Sequence, residues 1–162
     1  MASVLVLGIG NPLHADDGAG VHAAQQLVDR AGGRSDVTII DAGTLSFPLL
    51  PALRNADALI AIDAVRDGGR PGDTCVCEGE DFDRFLRRSG RSVNEVGLAD
   101  LLERARRCGQ LPAHRVLIGV EPDVVDWGQE LSAPVAASLS HCVDLALEFI
   151  ERWHPTADVQ AH

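Results

Sequence analysis

No apolar run in this 162-residue chain approaches the roughly 18 residues needed to cross a membrane. The first residues lack the basic stretch of a secretory signal and pass straight into Val4–Leu7, so a cytoplasmic protein is expected. Positive charge is scarce: 14 Lys and Arg stand against 24 Asp and Glu, a formal net charge of −10. That field disfavours nucleic acid and anionic membrane as partners and favours cations or a basic segment of another protein. The four cysteines, Cys75, Cys77, Cys108 and Cys142, form no C-x-x-C pair. This removes the redox-motif and zinc-knuckle readings and leaves reduced, mostly buried thiols. No serine sits in a G-x-S-x-G context, so the chain has no nucleophile elbow. Internal repeats, low-complexity segments and linkers are also missing, and the length suits one domain with a real core. The expected boundaries are 1–154 for that domain and 155–162 for a disordered tail.

What the chain does contain is a series of short apolar runs rich in Val and Ile: Val4–Leu7, Val37–Ile40, Ala58–Ile62, Thr74–Val76 and Val116–Val120. They barely alternate, the pattern of strands covered on both faces. Helical patterns lie between and after them. Leu139, Cys142, Val143, Ala146, Phe149, Ile150 and Trp153 form one stripe at 3–4 spacing. Leu98, Leu101, Leu102, Ala105 and Cys108 form another, with Gly109 placed to end it and Ser92 and Glu95 in capping-box spacing before it. The stretch 66–73, RDGGRPGD, reads as a turn-rich loop. Strands alternating with helices predict an α/β three-layer sandwich. Its sheet is mostly parallel and twisted, with about five strands and helices on both faces.

Ligands of open α/β sheets collect at the carboxyl ends of the strands. Asp17 follows the first strand, Asp41 ends the second and Asp63 ends the third. If these strands are neighbours, the three carboxylates converge on one sheet edge, although any single one also reads as a helix cap. The turn GIGNPLHADDGAG fails the dinucleotide fingerprint because Leu13 stands where the third glycine belongs, and Asp16 and Asp17 would repel a pyrophosphate. Clustered carboxylates suit a cation instead. Oxygen alone favours Mg²⁺, Ca²⁺ or Mn²⁺, and an added imidazole favours Ni²⁺ or Zn²⁺. His14 shares the Asp16–Asp17 loop, and His22 lies further along the first helix.

Five segments, GIGNPLHADDGAG, IIDAGT, IAIDAV, VNEVGLADLL and VLIGVEPDVVDWGQELSAPV, occur in that order from about residue 3 to 150. Together they resemble the [NiFe] hydrogenase maturation proteases, a resemblance that implies a phosphorylase/hydrolase-like α/β fold with a twisted sheet between helical layers. The resemblance implies an endopeptidase that removes the C-terminal extension of the [NiFe] hydrogenase large-subunit precursor after nickel insertion. Nickel supplied by the substrate is the implied cofactor, with another divalent metal open to the isolated protein. It implies metal ligation by Asp17, Asp63 and position 94, with Asp17 and Asp63 as the catalytic pair. Asp41, Gly43 and Asn11 are implied in recognising nickel-loaded substrate, although Ala42 replaces the first glycine of the family's D-G-G-T. The family's members fit a monomer. A peptidyl-tRNA hydrolase shares the G-x-G-N-P turn, but the charge of −10 and the lack of an RHN segment oppose that reading.

The family usually carries His where this chain has Asn94. An amide oxygen is a poorer Ni²⁺ ligand than an imidazole nitrogen. Three readings follow: an active subgroup using Asn94, His14 moving in to supply nitrogen, or a catalytically impaired homologue that binds nickel or the precursor without cutting it.

Overall fold

The computed structural model describes residues 3–43, 49–89 and 98–153. Asn94, the Ser92–Glu95 capping box and the tail 155–162 lie outside those residues. The elements run β1 (Val4–Ile9), one 3-10 turn (Ala15–Gly18), α1 (Ala19–Ala31), β2 (Val37–Gly43), α2 (Leu50–Arg54), β3 (Ala58–Ala64), β4 (Thr74–Glu78), α3 (Glu80–Ser89), α4 (Leu98–Arg107), β5 (His114–Val120) and α5 (Ala133–Trp153). The sheet order is β2-β1-β3-β5-β4. All pairings are parallel except β4 with β5, which is antiparallel. This is the expected mostly parallel five-stranded α/β sandwich.

Two cores sandwich the sheet. One joins α1 and α5 to Val4, Val6, Ile60, Ile62, Val116 and Ile118. The other joins α2, α3 and α4, through Leu53, Phe82 and Leu101, to Leu5, Leu7, Leu59 and Leu117. Residues of both cores alternate along β1, β3 and β5, so these strands are apolar on both faces and read as continuous runs. The expectation of two-sided coverage fails for β2 and β4. Both are edge strands: Thr38 and Asp41 of β2 are exposed, as are Val76 and Glu78 of β4. An edge strand has a neighbour on one side only, and its outer residues meet water.

The helical stripes fall as expected except at Cys108, which lies past the end of α4 and is exposed rather than part of its buried stripe. Helix α5 buries Val135, Leu139, Cys142, Val143, Ala146, Phe149 and Ile150. Helix α4 buries Leu98, Leu101, Leu102 and Ala105 and is followed by Gly109, whose φ of +68° suits a glycine terminator. The close contact of α1 with the sheet depends on Gly20. A Cβ there would lie 2.5 Å from the carbonyl oxygen of Ile9 and overlap that of Ile62. Helix α1 therefore starts hard against the carboxyl ends of β1 and β3.

Candidate functional site

The turn after β1 is built by its own backbone. Gly10 has a φ of +123°, and a Cβ there would overlap the carbonyl oxygen of Asp17, so only glycine lets the chain double back over the strand end. Asn11 locks the turn. Its Oδ1 accepts from the Leu13 amide at 2.9 Å, its carbonyl accepts from the His14 amide at 3.0 Å, and its amide donates to Asp17 Oδ2 at 3.0 Å. Asp17 is thus half-buried with its carboxylate oriented by a backbone N–H. The 3-10 turn that carries it packs against β3.

Strand β3 lies beside β1, with Ile62 opposite Gly8, so half-buried Asp63 emerges at the same sheet edge as Asp17. On the other side of β1, Asp41 sits opposite Gly8 and Gly43 opposite Ile9. All three acids therefore share one edge. They do not share one face. Asp63 continues the Leu59–Ala61 series, which faces α2 and α4, whereas Asp41 lies between Ile40 and Ala42 of that series and points to the α1 side, where it is exposed.

Asp16 behaves unlike its neighbour. It is fully buried, and its carboxylate is saturated from a loop more than a hundred residues away. Oδ2 accepts from the amides of Asp123 at 2.8 Å and Val124 at 2.9 Å and from Ser132 Oγ at 2.7 Å, while Oδ1 accepts from the Ser132 amide at 2.7 Å. Burial alone would push its carboxyl up, but the hydrogen bonds from Val124, Ser132 and Asp123 outweigh it and hold the group below the ordinary value of 3.8. One acid of the pair is structural and the other is presented at the edge.

The loop after β3 is organised the same way. Glu121 is 7% exposed, and its Oε1 accepts from the amides of Asp67 at 2.8 Å and Gly69 at 2.9 Å. Its own amide donates to Asp73 at 2.8 Å. Two buried carboxylates, Asp16 and Glu121, therefore shape the loops flanking Asp17 and Asp63. Sequence reasoning gave neither this role. The sequence marks neither, because the amides that each carboxylate accepts from are distant in the chain.

His14 joins the acid-bearing turn through its backbone, its carbonyl accepting from the Asp17 amide at 3.1 Å. His14 is turned edge-on to Trp127, ring centroids 4.5 Å apart at 85°. His22 Nε2 is buried without a hydrogen-bond partner. Among the described residues no three His, Cys, Asp or Glu side chains gather closely enough to hold an ion by themselves. The cysteines are free thiols; burial, with Cys77 adding to it, pushes Cys75 up to about 11, so it is a poor nucleophile at neutral pH.

The chain is similar to proteins of one kind. The family described as hydrogenase maturation protease (HycI) matches residues 21–149. The hydrogenase expression/formation protein HupD of Bradyrhizobium diazoefficiens is 37% identical over 154 residues, covering 94% of this chain and 80% of its own. The hydrogenase 2 maturation protease of Escherichia coli is 32% identical over 145 residues, covering 89% of this chain and 88% of its own. Among solved structures, the hydrogenase maturating endopeptidase HybD from E. coli superposes with a TM-score of 0.86 at 28% identity over 94% of each chain. The [NiFe] hydrogenase maturation protease HybD from Thermococcus kodakarensis gives 0.77 at 30% identity, over 91% of this chain and 98% of its own. With the five-stranded sheet already matching expectation, the chain belongs to the hydrogenase maturation protease family, a family of endopeptidases.

Proposed function

We propose that this chain, acting as a monomer in the cytoplasm, removes the C-terminal extension of a [NiFe] hydrogenase large-subunit precursor once nickel is in place. The observation that carries the reading is the arrangement of Asp17 and Asp63. They sit at the carboxyl ends of neighbouring strands, with Asp17 held by the Asn11 amide in a turn packed on β3. Asp17 and Asp63 supply oxygen ligands to the nickel that the substrate presents. The scissile carbonyl, or a water, is polarised there, and one of the two carboxylates accepts the proton. Selectivity follows, because the metal that polarises the scissile bond arrives only with the loaded substrate. Exposed Asp41, with Gly43 and Asn11, contributes to recognising the loaded substrate.

Conversion of Asp17 or Asp63 to Asn tests this with nickel-loaded precursor and mass spectrometry of its C-terminus. Truncation is expected to stop while the circular dichroism spectrum stays unchanged. Normal truncation by either variant removes the assignment.

Asn94 favours a second, non-catalytic reading: a homologue that checks nickel or holds the precursor without cutting it. Stable association with intact precursor over hours, and cleavage gained by Asn94→His, would select that reading.

A further inference from the structure

Four of the six exposed large apolar side chains among the described residues gather on two adjoining loops: Leu13 at 48% exposure, Val124 at 45%, Val125 at 41% and Trp127 at 76%. A tryptophan this exposed leaves a large apolar area in water, and contiguous patches of this kind mark interaction surfaces. The two loops are stitched together. Gly128 donates to the Leu13 carbonyl at 2.9 Å and accepts from Ala15 at 2.7 Å, and the Asp16 amide donates to the Val124 carbonyl at 2.9 Å. The saturated Asp16 carboxylate fastens them from below. Asp126 Oδ1 accepts from the Trp127 amide at 2.9 Å, and His14 supports the indole from the side. Ala15 is held at a φ of +50°, a conformation an L-residue adopts only when its surroundings impose it.

The patch is therefore rigid before any partner arrives, which lowers the ordering cost of binding. It begins on the loop that carries Asp17. Exposed Asp123, Asp126 and Glu130 flank its apolar residues along the second loop. A second copy of this chain would bring the same acids against these, on a molecule of net charge −10.

We infer that Leu13, Val124, Val125 and Trp127 form the docking surface for the protein substrate, engaging an apolar spot ringed by Lys or Arg near the scissile segment. The inference rests on the proteolytic reading above for the identity of that substrate. Trp127 is the anchor, the residue type most enriched among interface hot spots. The acidic rim steers and orients the basic ring of the partner.

The test measures the Kd of nickel-loaded large-subunit precursor for the full chain by interferometry at low and high salt, with truncation followed in parallel. Trp127→Ala is expected to weaken binding at least about tenfold. Glu130→Arg, which keeps the apolar centre, should weaken it less and flatten its salt dependence. Val28→Ser is the control, since Val28 is 49% exposed on α1, far along the helix from the site edge. Its Kd should equal the unaltered protein's. Melting curves establish that each variant is folded. Unchanged binding by Trp127→Ala overturns the docking surface, and if truncation is normal the catalytic reading stands. Self-association lost in Trp127→Ala, seen by sedimentation, overturns it in favour of a second copy. Weakened binding by Trp127→Ala alongside an Asp17→Asn variant that still cuts keeps the surface and removes the role of the acids. No binding of precursor by the unaltered protein removes both.

Discussion

Asp16 and Ser132, 116 residues apart in the chain, are joined by two hydrogen bonds of 2.7 Å, amide to Oδ1 and hydroxyl to Oδ2. This contact closes the segment after β5 onto the turn after β1, and so sets where Asp17 stands. The carboxylate beside the candidate ligand thus has the structural task, buried with both oxygens engaged in hydrogen bonds.

Replacing Asp16 by Ala leaves three backbone amides and a hydroxyl without their acceptor in a buried setting. A loss of about 3 kcal/mol is expected, because charged hydrogen bonds are removed and donors are stranded. Urea denaturation followed by circular dichroism measures it, and a loss below about 1 kcal/mol would show that water replaces the carboxylate.

The same carboxylate makes stability depend on pH. Its folded value lies below the unfolded one of 3.8, so its contribution is complete above that value. Below it the unfolded chain binds a proton that the folded chain refuses, and stability falls until pH passes the folded value. Urea midpoints should decline as pH drops below about 4, and the decline should be shallower in Asp16→Ala.

Gly10→Ala places a methyl group on the Asp17 carbonyl at a φ of +123°. The turn must open, at an expected cost of about 3 kcal/mol for the strained conformation and the clash. Because the Asn11 amide and Asp17 Oδ2 separate when it opens, cleavage should fall in protein that remains folded, read by truncation rate at a temperature well below melting.

Asn94→His places a nitrogen donor at the position that the proposed reading assigns to the third nickel ligand. Nickel binding to the isolated protein should tighten, as isothermal titration calorimetry would record, and truncation should quicken. An unchanged affinity would separate position 94 from the metal.

Much of the fold is legible before any coordinates. The strands β1, β3 and β5 are buried on both faces, so each is a continuous apolar run, and the stripes of α4 and α5 follow a period of 3.6. The observed strands nonetheless outrun their expected ends: β1 extends to Ile9, β2 to Gly43 and β3 to Ala64. The residues that follow each apolar run, Gly8 in β1, Asp41 in β2 and Asp63 in β3, are polar or small, which ends the run early by a hydrophobicity criterion. The antiparallel direction of β4 is hidden for another reason. Neither it nor the one-sided exposure of β2 and β4 leaves a mark in five-residue patterns, since both depend on which neighbour pairs.

The candidate site divides the same way. Local spacing was enough to bring Asp17, Asp41 and Asp63 to one end of the sheet, because strand ends are set by nearby residues and parallel connections bring them into register. Which face each acid takes, and which member of the Asp16–Asp17 pair turns inward, was decided by tertiary contacts. Two identical carboxylates side by side carry no local difference. Only the amides of Asp123, Val124 and Ser132, delivered from the far side of β5, make burial of one of them favourable and leave the other at the edge.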